Sequence, residues 1–211
     1  MHLTLPQRMY LLCYTVEAGK FEDANLLGRG LLLRAAAMAE LSRTGLLATH
    51  KKKVTRLPAA APHDDFLAEV FYDIPAGKPS GWLQYVHDKT VEAEEAVRNQ
   101  LIKADAVTLS KRRLLGAFSS RAETVTDPQY VLHLRTTARS AVMSDTAPAA
   151  VAVDQLTTAV FLAECETTSV FTRKETRQHR RTLKAYAERF DTLVPGLRPA
   201  LRDSFLVTRG G

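Results

Sequence analysis

The stretch Leu26–Thr44 constrains the fold more than any other part of the chain. Leu31, Ala35, Met38 and Leu41 recur on one helical stripe, and Gly45 follows at the position that suits a helix stop. A helix this apolar needs covering. The chain has 211 residues and 45% hydrophobic content, enough to build one sizeable core, so a single domain over residues 1–211 is expected. Charged residues make up 25% and are spread throughout, which argues for a compact fold over disorder.

Helix signals dominate the rest. Thr4 and Gln7 form a capping box with Pro6 in the first turn, and Leu5, Met9, Leu12, Cys13 and Val16 keep helical spacing up to Gly19. Short helices are predicted around Asp65–Tyr72 and from Trp82, and a longer one spans Asp88–Lys103, with Val91, Val97 and Leu101 inward and Glu92, Glu94 and Glu95 outward. Asp127-Pro128 opens a helix to about Val142, and Pro148 starts another through Glu164. Thr172 with Glu175 caps a third ahead of Arg177–Leu193, and a last one lies near Leu197–Val207. The expected fold class is mainly α, a compact multi-helix domain with small β-hairpins.

Two hairpins are predicted. Leu46–Thr49 and Val54–Leu57 flank His50-Lys51-Lys52-Lys53; Val107–Leu109 and Leu114–Phe118 flank Ser110-Lys111-Arg112-Arg113. In the second, basic side chains stand beside Leu114, Leu115 and Phe118. That combination lets cations meet lipid phosphates while apolar groups enter the interface. An ordinary basic turn on a buried hairpin explains the same pattern.

The net charge is +6, and residues 111–211 carry all of it: 16 Lys+Arg against 10 Asp+Glu there, 13 against 13 in residues 1–110. Such a half can face a polyanion or merely stay solvated. The densest basic cluster is Arg173, Lys174, Arg177, Arg180 and Arg181. No stretch reaches the roughly 18 apolar residues of a membrane span, and the N-terminus does not read as a signal peptide. The phosphate-cradling glycine motifs and His-Glu-x-x-His are missing, and the six histidines lie far apart in sequence. Cys13 and Cys165 stand alone in apolar runs, which speaks against disulfides and metal sites and fits a reducing cytoplasm.

Leu3-Thr4-Leu5 leading into a leucine-rich helix, then Gly30–Glu40-Leu41 with Arg43-Thr44-Gly45-Leu46, resembles the opening of the Golgi phosphoprotein 3 (Vps74-type) family. Trp82, the Asp88–Lys103 helix, the Leu109–Phe118 hairpin and the helical remainder follow in the family's order, and the pattern looks like that of a bacterial relative. The resemblance implies a mainly α-helical, non-catalytic protein. It also implies a basic pocket for phosphatidylinositol 4-phosphate at a membrane surface. Arg34, six residues before Glu40, matches the family's first pocket arginine. No Trp stands around Ala24-Asn25, and Val91 and Glu94 occupy the places of two further arginines.

The expected function is therefore a peripheral membrane protein that binds a phosphoinositide or other anionic phospholipid headgroup, cytoplasmic and held at the cytosolic membrane face. It is expected to be no enzyme and to need no cofactor or metal. Arg34, Lys111, Arg112 and Arg113 are the candidate lipid-binding residues, and Leu114, Leu115 and Phe118 the membrane contacts. The 107–118 hairpin could also join copies into a homo-oligomeric adaptor. A winged-helix-like nucleic-acid binder using the Lys51–Lys53 hairpin is the other reading, although nucleic acid is not the expected partner.

Overall fold

The Thr4 hydroxyl accepts the Gln7 N–H while the Gln7 side-chain oxygen accepts the Thr4 N–H, so the capping box opens α1 (Leu5–Leu12) as the sequence predicts. The computed structural model describes residues 3–113 and 119–210, with residues 111–113 and 119–121 described by their backbone. α1 stops earlier than its apolar spacing suggests. Beyond Cys13 the chain forms a two-stranded ribbon, β1 (Tyr14–Thr15) with β2 (Lys20–Phe21), around a single 3-10 turn that Gly19 closes at positive φ.

The predicted helix over Leu26–Thr44 is interrupted at its start: α2 (Asp23–Leu26) ends before Gly28, and α3 (Arg29–Arg43) follows. Gly28 has φ +82, and a Cβ there would lie 2.6 Å from the Phe205 ring, so both conformation and space demand glycine. α3 is the axis of the molecule. Its sequence shows one apolar stripe, but every residue from Arg29 to Ala39 is buried, because α1, α4 (Asp65–Asp73), α5 (Trp82–His87), α6 (Thr90–Lys103), α8 (Val153–Glu164) and α11 (Leu197–Gly210) all pack on it. Full burial explains the three consecutive alanines: small side chains let neighbours approach from all sides.

The first hairpin forms as predicted, β3 (Leu47–His50) with β4 (Lys53–Arg56), closed by Lys51 and Lys52 at φ 46 and 63. A third strand, β5 (Ser80–Gly81), joins β4; it has too few residues to leave a periodic signal. Gly196 sits against the Lys52 backbone and the Trp82 ring, with no room for a Cβ. The hairpin tip is thus packed on the C-terminal part of the chain.

The second hairpin corrects the predicted turn. Ser110-Lys111-Arg112-Arg113 is strand: β6 (Val107–Arg113) pairs with β7 (Ser119–Val125) in seven registered pairs from Val107↔Val125 to Arg113↔Ser119. The four residues have no Gly, Asn or Pro to adopt the left-handed conformations of a tight turn, and the next glycine in sequence is Gly116. Leu114, Leu115 and Phe118, the predicted membrane contacts and part of the predicted second strand, lie outside the described residues.

The helical second half follows its caps. Asp127 accepts the Tyr130 N–H ahead of α7 (Pro128–Met143), and a second complete capping box, Thr172 with Glu175, opens α9 (Arg173–Gln178). Pro148 begins only a 3-10 turn before α8. The helix predicted after Thr172 is broken at His179, which closes α9 and precedes α10 (Arg180–Leu193). Leu183, Tyr186, Ala187 and Phe190 bury one face of α10, and Phe190 meets Phe161 of α8 edge to face at 5.0 Å. No described helix is long and apolar enough to cross a membrane.

Candidate functional site

The root of the second hairpin is tied into the core by charge. β6 leans on α6 and β7 on β2, and Val107 and Val125 are buried at the base. Glu123 of β7 accepts the Tyr10 O–H at 2.7 Å, lies 3.4 Å from Arg98 of α6 and 3.8 Å from Arg29 of α3. Arg29 is 5% exposed; its Nε and Nη2 both reach Glu94 Oε2, at 2.9 and 2.7 Å, and its guanidinium stands 4.3 Å over the Tyr10 ring. Glu94 also accepts the Gly30 N–H at 3.1 Å. Burial pushes the Tyr10 hydroxyl well above the usual tyrosine range, so it stays a donor to Glu123.

This cluster changes the meaning of Glu94. The sequence places it on the exposed acidic face of its helix; in the structure its carboxylate is neutralised by Arg29, and Val91 beside it is 68% exposed. Asn25 is buried as well, accepting from the Thr168 N–H and O–H, both at 2.8 Å, and donating to Thr15. Sequence reasoning missed Arg29 and Asn25. Arg29 alone left a sign, a cation between Gly28 and Gly30 at the start of the most apolar helix.

Arg34, the predicted lipid-binding arginine, lies 1% exposed in the middle of α3. Its Nε donates to the Tyr85 carbonyl at 2.8 Å and its Nη1 to Asp73 at 2.8 Å, while Nη2 is buried without a partner among the described residues. Lys89 reaches the other Asp73 oxygen at 2.7 Å. Burial works to raise the Asp73 pKa, but the hydrogen bonds from Lys89 and Arg34 prevail and hold it below the usual carboxylate value. The cation is structural in this geometry: it joins α3 to α4 and α5.

Arg34 and the basic strand residues thus belong to separate parts of the fold, and α3 carries one while β6 carries the others. The register adds a residue that the sequence reading passed over, since Lys111 pairs with Arg121.

The remaining basic cluster lies on α9 and the start of α10, where Arg173, Lys174, Arg177, Arg180 and Arg181 are all exposed. Glu175, the one acid of α9, accepts from Arg139 of α7 and closes the capping box. The bond from Arg139, against the opposing effect of burial and with help from the bonds with Thr172, holds its pKa at about 2, against an ordinary 4.5. A depressed carboxylate contributes stability that is complete above the unfolded-state pKa and disappears as pH falls through the folded-state value. Acid titration of thermal stability should therefore show a loss between about pH 4.5 and 2, and Glu175→Gln should flatten that loss while lowering stability at neutral pH. Next to this cluster a groove of about 560 Å³ opens between α8, α10 and α11, with Arg180, Lys184 and Arg202 around the Glu164–Arg198 ion pair.

The described residues hold no group of three His, Cys, Asp or Glu side chains able to bind a metal. Cys13 and Cys165 are free and buried, and burial pushes the Cys13 thiol up to about 12, so it is an inert core group.

Fold and charge define a class: a mainly helical domain wound around one buried helix and carrying a basic β-hairpin rooted in its core. Residues 5–204, nearly the whole chain, match the model of the Golgi phosphoprotein 3 (GPP34) family, and the chain belongs to that family. No curated protein matches it.

Proposed function

We propose that this protein is a peripheral, non-catalytic adaptor that binds anionic lipid headgroups, of the phosphatidylinositol 4-phosphate kind, at the cytosolic face of a membrane. Family membership supports the class, since the family is one of non-enzymatic adaptors. The observation that carries the reading is the β6–β7 ladder: seven residue pairs leave the core and bring Lys111, Arg112, Arg113 and Arg121 to the strand ends beside the apolar sequence Leu114-Leu115 and Phe118. Cations near an anionic membrane surface contribute about 1 kcal/mol each, and adjoining apolar groups add to that when they enter the interface.

Arg34 enters this reading through Nη2, the one nitrogen of its guanidinium without a partner among the described residues. The hairpin is the better test. Replacing Lys111, Arg112 and Arg113 together by Ser should weaken binding to phosphatidylinositol 4-phosphate vesicles by roughly a hundredfold and leave thermal stability nearly unchanged. Vesicle co-sedimentation and a melting curve read the two effects. Unchanged vesicle binding in the triple variant, with loss of an oligomer in light scattering, would show the hairpin to be a packing element between copies.

A further inference from the structure

The cations of α9 are not explained by folding. None of the six α9 residues is buried, so no core contact requires this sequence. The helix is held by polar links at its start: the Thr172–Glu175 capping box and the bonds from Arg139 to Glu175. Those links consume its only carboxylate. Arg173, Lys174, Arg177 and Arg181 then have no acidic partner within 4.0 Å among the described residues. Arg173 and Arg177 stand at i and i+4 of α9 with Lys174 beside them, and Arg181 follows in the first turn of α10; all four are exposed.

We propose that this row is a second membrane contact, one that senses the charge of an anionic lipid surface and not the identity of a headgroup; the proposal rests on the membrane reading given above. The chemistry of the row points to a lipid surface in particular. Leu193 is the only large apolar residue that α9 and α10 expose among their described residues, and it stands at the far end. The contact is therefore electrostatic, with no side chain positioned to insert and no aromatic ring positioned to stack on a base. The four cations are exposed and line none of the described pockets, an arrangement that meets a plane of mobile anions more readily than it encloses a single ligand. The neighbouring groove is less suited, because Glu164 and Glu188 offset much of its positive charge.

The test compares the wild type, the variant R173Q/K174Q/R177Q/R181Q and the Lys111–Arg113 serine variant on three kinds of vesicle. These are phosphatidylcholine alone, phosphatidylcholine with about one lipid in five replaced by phosphatidylserine, and the same with phosphatidylglycerol. The α9 variant should lose roughly three orders of magnitude of affinity for both anionic vesicles alike, and the wild-type affinity should fall steeply with added salt. The substituted residues are exposed, so its melting temperature should match that of the wild type. If the wild type and the hairpin variant behave as the membrane reading requires but the α9 variant binds as tightly as the wild type, this proposal alone is overturned. A wild type indifferent to lipid charge at low salt overturns the membrane reading and this proposal with it. Loss of binding to an RNA oligonucleotide in the α9 variant, with vesicle binding intact, would assign the row to nucleic acid and equally overturn it.

Discussion

Arg34→Ala should lower the unfolding free energy by about 3–5 kcal/mol, the scale for breaking a buried ion pair by removing one partner. The guanidinium is 1% exposed and makes two hydrogen bonds, to the Tyr85 carbonyl and to Asp73. Truncation leaves that carbonyl unpaired and opens a cavity inside α3, where α4 and α5 meet it. Lys89 still neutralises Asp73, which keeps the loss toward the lower end of the range. Urea unfolding followed by circular dichroism measures it; a change under 1 kcal/mol would mean that the pair contributes little. Arg34→Ala is consequently a poor probe of headgroup binding, because a destabilised protein loses vesicle affinity for reasons unrelated to its pocket.

The second large effect is expected at Gly30. A Cβ built there would stand 2.2 Å from the Thr90 carbonyl oxygen, with the next two nearest atoms also belonging to Thr90. Backbone cannot rotate aside as a side chain does, so α3 and the first turn of α6 must separate. Gly30→Ala should cost roughly 3 kcal/mol in spite of alanine's better helix propensity, and lower the melting temperature by roughly 10 °C. Alanine at Gly81, where no atom lies within 4 Å of the added methyl, is the comparison that should leave the melting temperature almost unmoved.

Helix starts were legible in this sequence because capping is local. Thr4–Gln7 and Thr172–Glu175 form complete capping boxes, each specified by residues within four positions of one another. Helix interruptions were less visible. The break at Gly28 depends on Phe205, and the break at His179 accompanies its contact, and that of Thr182, with Asp145; such partners lie tens of residues away.

Burial on all sides of α3 could not be read from its own pattern either, since one stripe was enough to predict the helix and six neighbours were needed to cover the rest. The basic residues of the second hairpin were identifiable by composition, but their assignment to a turn was not sound. A turn is fixed by where pairing ends, and the register runs on to Arg113↔Ser119. The Arg29, Glu94, Glu123 and Tyr10 cluster was beyond reach, because its members come from four separate elements and none is unusual by itself.

That cluster also gives the hairpin a mechanical character. Seven rungs at about 3.3 Å make a stiff arm on the order of 20 Å long, fixed at one end where Glu123 meets Tyr10, Arg98 and Arg29. Any sideways push at the far end arrives at the fixed end as torque. The first contact to feel it is the Tyr10–Glu123 hydrogen bond at 2.7 Å, with the longer ion pairs from Glu123 to Arg98 and Arg29 beside it. The arm thus works as a lever whose fulcrum lies against the central helix, and a tilt imposed from outside is transmitted to α1, α3 and α6 at once.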